Sequence, residues 1–387
     1  YEILPHEVTY SARVGMELTQ GPDRAQHGSV VYNNRLFILG GENASGLTNS
    51  VLVYDLSTRG VTPSTYTFPA LITPRKGHSA TLFGNKLILL GGLDSNGVSD
   101  LVEVYDLFGN HALLDTQYSF PDIDAIAYHQ AMARDNLLIV VGGMDWTGAS
   151  SDEIHVFEFG ATEAIDLGDG DFDPLSEARQ QHNATIRNSM LFVLGGRNNF
   201  GELTNIEAYD LSEAIPSKIL PSELPDLELA LSGRSMGYYD DKIVLLGGVE
   251  GETGLEPVHS SALEVLQVLP ADHISGKVLR RHPSYAAAAL VKNRAHHSSN
   301  GYEDYFVVYG GKNIGGFTTP SMELLKVTEN NVQTSLASAE SSRLLTFGLQ
   351  RLLPISVISK PIVLGTSGTL PIVYDLDNPA PIPLTVT

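Results

Sequence analysis

Six short runs of β-favouring apolar residues punctuate the chain, and each ends in a glycine pair. They are LFILGG (Leu36–Gly41), LILLGG (Leu87–Gly92), LIVVGG (Leu138–Gly143), LFVLGG (Leu191–Gly196), IVLLGG (Ile243–Gly248) and FVVYGG (Phe306–Gly311). The runs are continuously apolar rather than alternating, the pattern of a strand covered on both faces. In the second unit the pattern predicts strands over His78–Phe83, Lys86–Leu90, Leu101–Leu107 and Ala112–Phe120, with Gly84-Asn85 as a hairpin turn. Helical periodicity is almost absent. The first glycines, Gly40, Gly91, Gly142, Gly195, Gly247 and Gly310, are 51, 51, 53, 52 and 63 residues apart. Strands repeating at such a period imply radial repetition of one supersecondary unit.

The flanks repeat as well. Thirteen residues before the first glycine stand His27, His78, His129 and His182, with Arg234 at the fifth place. Three residues earlier come Arg24, Arg75 and Arg179. Fourteen residues after the glycine, Tyr54, Tyr105 and Tyr209 each open a Tyr-Asp-Leu triplet, and a polar loop tipped with glycine lies between. Arg-x-x-His, an apolar strand, Gly-Gly, a variable loop and Tyr-Asp together resemble the kelch repeat, over roughly Arg24 to Thr328. The resemblance implies an all-β, seven-bladed kelch-type β-propeller, read as one domain over 1–387. Blades fall at about 24–72, 75–120, 126–173, 179–224, 231–270, 280–330 and 343–387, with residues 1–20 closing the last. Its seventh unit rests on IVLGTSG (Ile362–Gly368) and on Tyr374-Asp375, and Glu7–Leu18 supplies its closing outer strand. A six-bladed ring with a C-terminal appendage is the alternative. The chain departs from the repeat in four places. Its one Trp, Trp146, sits in a loop, unit three has Phe157-Glu158 for Tyr-Asp, unit five loses the pair, and unit six is read with an insertion at Asn293–Asp304.

Charge narrows the partners. Asp and Glu number 45 against 24 Lys and Arg, a net charge of −21. A general nucleic-acid or anionic-membrane surface is therefore not expected, since both attract basic patches. No apolar run is long enough for a membrane helix, so direct membrane insertion is not expected. With no cysteine there are no disulfides, thiolate metal sites or cysteine nucleophiles.

Candidate chemistry is sparse. One His per repeat, each on a different blade, reads as hydrogen bonding between blades, and the adjacent His296-His297 reads as solvated. The resemblance implies that Arg24, Arg75 and Arg179 face the mouth of the central channel and bind acidic partners, with Arg234, Arg281 and Arg343 joining them. A guanidinium fork suits carboxylate or phosphate, though an internal pairing with a carboxylate reads equally well. Asp169, Asp171 and Asp173 alternate in a loop as hard oxygen ligands for calcium would, while Pro174 stands where a calcium loop wants glycine. Of two glycosylation sequons, at Asn43 and Asn183, the second falls in an inner strand. A copper-radical site of the galactose-oxidase type needs a Cys-linked Tyr, and nucleotide, zinc and nucleophile-elbow motifs are absent.

The reading is a non-catalytic scaffold that binds a protein or an acidic ligand, peptide or glycan, through loops of one face and the arginines. It favours an extracellular or cell-surface setting over the cytoplasm. A carbohydrate-active or isomerising enzyme with its site in the channel is one alternative, and a structural part of an extracellular assembly is another. The fold does not choose among them, because function lives in grafted sites.

Overall fold

The computed structural model describes residues 21–57, 61–213, 215–252, 257–270, 277–281, 289–303, 305–328, 331–336, 362–364, 372–375 and 378–383. The chain divides into two compact units, one holding Thr9–Ala339 and the other Tyr1–Val8 with Glu340–Thr387.

The larger unit contains six antiparallel four-stranded sheets, each built in sequence order from first strand to fourth. Blade one is Gly28–Tyr32, Arg35–Leu39, Val51–Asp55 and Thr62–Pro63. Blade two is Ser79–Phe83, Lys86–Leu90, Val102–Leu107 and Ala112–Leu114, close to the strands expected from its pattern. Blade three is Gln130–Arg134, Leu137–Met144, Ser150–Phe159 and Ala164–Asp166, and blade four is Asn183–Arg187, Met190–Leu194, Ile206–Asp210 and Ser217–Lys218. Blade five is Ser235–Tyr239, Lys242–Leu246, Leu263–Val268 and Leu279–Arg281, and blade six is Ser298–Tyr302, Tyr305–Tyr309, Met322–Thr328 and Asn331–Leu336. Among the described residues the only helical turn is Pro221–Glu223.

The apolar second strands form the interior, with Leu36, Phe37, Ile38 and Leu39 all fully buried. Their side chains alternate between two inter-blade cores. Phe37 and Leu39 pack with Leu87 and Leu89 of blade two, whereas Leu36 and Ile38 pack with Val307 and Tyr309 of blade six. Each such side chain contributes roughly 1.5–3 kcal/mol on burial, so the blade-to-blade joints carry the stability of the ring.

Ring closure is visible in the backbone. Just before each first strand one residue with φ of 54–64° turns its peptide toward its neighbours: Gln26, Gly77, Tyr128, Gln181, Gly233 and His296. Their amides form a closed circle, Gln26 to His296, His296 to Gly233, Gly233 to Gln181, Gln181 to Tyr128, Tyr128 to Gly77 and Gly77 to Gln26, at 2.7–3.2 Å. Six donors and six acceptors leave no place for a seventh blade. The His27 imidazole also meets Ser298 Oγ at 2.8 Å, directly joining blade one to blade six. The seven-bladed expectation thus gives way to the six-bladed alternative. Ile362–Leu364, Ile372–Asp375 and Asn378–Pro383 do pair as a three-stranded sheet, but within the smaller unit. Glu7–Leu18 lies outside the described residues.

Blades five and six are also re-divided. Leu279–Arg281 pairs with Leu263–Val268 as the fourth strand of blade five, so blade six does not begin at residue 280. The expected insertion at Asn293–Asp304 is instead the start of blade six, since its first strand is Ser298–Tyr302. The extra residues of this interval precede Arg294.

The glycine pair has a definite task. At Gly91, φ is +63° and a Cβ would run into the Ile126 carbonyl of the next blade. The amide of Gly92 donates to that same carbonyl at 2.8 Å. Gly91→Ala is expected to cost about 1–3 kcal/mol in a urea titration, from the left-handed backbone and the displaced neighbour. A substitution of Gly97, which has positive φ but no neighbour within 4 Å, separates the two contributions.

Candidate functional site

Six hairpins follow the glycine pairs, and each springs from beside the amide circle. The residue before each member of that circle bridges the first residue after the doublet: Ala25 to Glu42, Lys76 to Leu93, Ala127 to Met144, Gln180 to Arg197, Ser232 to Val249 and Ala295 to Lys312. The variable loops and the Arg-x-x-His segments therefore share one face of the ring, here called the hairpin face.

At its centre the side chains are large. The Tyr128 ring lies over Gly77, where a Cβ would meet it at 2.6 Å, and its hydroxyl donates to Gln26 Oε1 at 3.1 Å. His296 lies over Gly233 in the same way and meets Glu252 of the blade-five hairpin at 2.8 Å. Burial pushes the Glu252 carboxyl up, but the His296 contact and the Arg197 charge outweigh it and hold the group at about 2, below its ordinary range. Glu42 is held between Lys76 at 2.8 Å and Lys312 at 2.6 Å. The centre is thus a polar floor whose charges are mostly spent internally.

The hairpin tips are different. Trp146 of blade three is 77% exposed and Phe200 of blade four 99%, while Ile314 and Phe317 of blade six are 65% and 73% exposed. Val258 of the blade-five hairpin is also exposed. Four consecutive hairpins therefore lift large apolar side chains into solvent. Asn198 Oδ1 holds the Phe200 amide at 2.8 Å, and the Asn313 amide donates to the Phe317 carbonyl at 3.0 Å. Blades one and two carry Ala44-Ser45 and Ser95-Asn96 at these places. A cleft of about 650 Å³ runs beside Phe200, between the hairpins of blades three and four, with Glu177 and Glu202 on its walls. The signal for these residues was present in the sequence as lone aromatics in otherwise polar loops.

The repeat arginines do not reach this surface. Arg75, Arg179 and Arg294 are completely buried. Arg75 donates to the carbonyls of Gly91 at 3.0 Å and Leu101 at 2.9 Å, and pairs with Glu103. Arg179 repeats this with Gly195 at 2.9 Å and Glu207 at 2.6 Å, and Arg294 with Gly310 at 2.9 Å and Glu323. The second carboxylate oxygen then receives an amide of the incoming linker, Ile72, Ser176 or Val291. In blade five Leu231 takes the arginine place, and Arg234, from the histidine place, reaches Glu264 at 2.9 Å. Arg24 is as buried but has Leu52 where the glutamate would be, and it bonds the Ser50 hydroxyl. The expected cluster at a channel mouth is therefore corrected to internal pairing, in which a third-strand carboxylate captures the forks of Arg75, Arg179, Arg234 and Arg294 and the Ser50 hydroxyl receives Arg24. Arg281 lies in an outer strand and donates to the Asp226 carbonyl at 2.9 Å and 2.6 Å. Arg343 lies outside the described residues.

The histidines do join blades. His27 bonds Ser298 and His129 bonds Ser79, each at 2.8 Å across a joint. His78 packs on Gly40 of blade one and His182 on Gly142 of blade three. Burial lowers His27, His78 and His129 to about 3, so all three are neutral. Counting back from Gly310 finds His297 and Arg294, inside the stretch expected as a polar insertion. His296 and His297 are both largely buried, not solvated.

Asp169 turns back on its own loop and accepts the Asp171 amide at 3.0 Å. Among the described residues no three His, Asp or Glu side chains converge as a metal cage requires, so Asp169, Asp171 and Asp173 form no ready-made calcium site. Asn183 is buried and donates to the Arg234 carbonyl at 3.3 Å, which removes the second sequon. Among the described residues no helix is long and apolar enough to cross a membrane.

With this geometry in place, comparison with known proteins agrees on the class. Residues 11–166 match the model described as the KLHDC2/KLHL20/DRC7 Kelch-repeats domain. The chain is 22% identical over 328 residues to acyl-CoA-binding domain-containing protein 4 of Arabidopsis thaliana, covering 82% of this chain and 47% of that protein. It is 25% identical over 218 residues to alpha-scruin of Limulus polyphemus, covering 54% of this chain and 22% of that one. The chain thus spans about half or less of the curated relatives it matches. A solved structure titled "Structure of YjhT" superposes with a TM-score of 0.63 at 14% identity, over 81% of this chain and 97% of that one. The chain is a kelch-repeat β-propeller.

Proposed function

We propose that this propeller is a non-catalytic protein-binding module whose partner docks on the hairpin face, anchored by Trp146, Phe200, Ile314 and Phe317. The observation that carries the reading is the exposure of these side chains on neighbouring hairpins, since clustered exposed apolar groups mark interaction sites and aromatic residues dominate binding energy. Kelch-repeat relatives, whose proteins are commonly interaction scaffolds, support it. The rigid ring supplies fixed geometry and the loops supply chemistry.

Trp146 is the only tryptophan in the chain, so its fluorescence reports on this face alone. A bound partner is expected to shift its emission to the blue and to protect it from acrylamide. Phe200→Ser with Phe317→Ser is expected to weaken that partner by at least about tenfold, as loss of hot-spot residues does. Retention by this double variant, with loss on substituting Asn34 and Asn136 in turns joining first and second strands, would place the site on the opposite face and end the proposal.

A further inference from the structure

The joint between blades two and three is built unlike the others. Where the repeat places its buried arginine and glutamate, blade three has Ile126 and His155, which pairs with Val140 as Glu103 pairs with Leu89 and meets Asp166 at 2.7 Å. Both ends of the ion pair are missing together, so neither is left uncompensated. With His155 in the glutamate place, the linker amide at Ile123, counterpart of Ile72, receives no carboxylate tie.

A cavity of about 210 Å³ opens at this place. Its lining includes Ile126 itself and Gly142. Gly142 is the counterpart of Gly91, Gly195 and Gly310, whose carbonyls accept from the arginine of their own blade at 2.9–3.0 Å. Aliphatic walls come from Leu90 and Val140, and Asp122, Asp124 and Glu153 stand at its edge with no Lys or Arg in the lining. The three carboxylates are exposed. A second groove of about 410 Å³ flanks the other side of the same linker, shares Asp122 and Ile123, and also has no cation in its lining.

Resting on the protein-binding reading above, we propose that this cavity is a slot for an arginine side chain of the partner, which fills from outside the place that other blades fill from within. The guanidinium would lie toward Gly142, its stem against Leu90, Ile126 and Val140, and its charge among Asp122, Asp124 and Glu153. The sister joints show which chemical group the frame accepts, and the rim supplies complementary charge. The ligand preference is thus the reverse of an acidic peptide. A basic segment is also what a chain of net charge −21 attracts.

The test uses a fluorescein-labelled nonapeptide alternating arginine with leucine, and a twin in which citrulline, neutral and of the same shape, replaces arginine. The arginine peptide is expected to bind saturably, and the citrulline twin on the order of tenfold more weakly or worse, as loss of charge-assisted bonds implies. The decisive variant is Ile126→Arg with His155→Glu. It restores the repeat's own pair, fills the slot and leaves net charge unchanged, so lost binding cannot be a general electrostatic effect. It is expected to lose at least about tenfold in affinity. Should it fail to fold, Asp124→Asn with Glu153→Gln, both exposed, takes its place with the same expectation. Equal binding by the citrulline twin, equal binding by the filled variant, or no saturable binding of the arginine peptide overturns the slot. The hairpin-face reading is judged separately through Phe200 and Phe317, neither of which touches this cavity.

Discussion

At pH 5 the protein is expected to be about 6 kcal/mol less stable than at pH 7, from three imidazoles alone. Burial holds His27, His78 and His129 at about 3 in the folded ring. In the unfolded chain a histidine takes its proton near 6.5, so between 6.5 and 3 the unfolded state binds more protons. Their contribution is fully present above pH 6.5 and is lost as pH falls toward 3. At pH 5 the loss is roughly 2 kcal/mol for each. Total stability for a domain is about 5–15 kcal/mol, so mild acid should bring the ring near its unfolding midpoint. His182 and His297 are also lowered by burial and act in the same direction. Urea titrations at pH 7, 6 and 5 measure this. His129→Gln, which can still meet Ser79, is expected to flatten the dependence by about one third of the three-histidine effect, while a stability indifferent to pH between 7 and 5 would refute neutral buried histidines.

The second large effect concerns the arginines. Arg75→Ala is expected to cost about 3–5 kcal/mol, because it leaves Glu103 buried without a cation, and Arg179→Ala should cost less, since Lys218 still meets Glu207 at 2.7 Å. Glu103→Ile should cost a similar amount by stranding Arg75. The double change Arg75→Ile with Glu103→Ile should cost clearly less than the sum, a coupling that a double-mutant cycle in urea reads directly. Arg24→Met provides the contrast. With Leu52 opposite it there is no carboxylate to strand, and the change should be close to neutral. Equal losses at Arg24 and Arg75 would show that the paired glutamate contributes nothing.

Much of the fold was legible in the sequence, for local reasons. The doublets had to be glycine, because both positions take positive φ and a carbonyl stands 2.2–3.1 Å from where a Cβ would lie. Burial on both faces made the second strands continuously apolar, and this gave the repeat its period. Even His297 and Arg294 were within reach, since counting thirteen and sixteen residues back from Gly310 finds them. The site was less legible. Trp146, Phe200 and Phe317 appeared as isolated residues in unrelated loops, and only their shared face makes them a surface.

The sequence by itself determined that this is a ring of kelch units, which residues form its strands and where its variable loops fall. These follow from periodicity and from the steric demands of single positions. Only the tertiary structure decided that the ring closes at six, because closure depends on the angle between packed blades and on amides from six distant segments meeting in one circle. It alone decided that the repeat arginines face inward. An arginine three residues before a histidine looks the same in sequence whether it meets solvent or a glutamate 28 residues on. Burial settles the question, since in a dry joint the fork must take the nearest carbonyls and carboxylate, and where both partners are absent, as at Ile126 and His155, the same joint stays open to a guest.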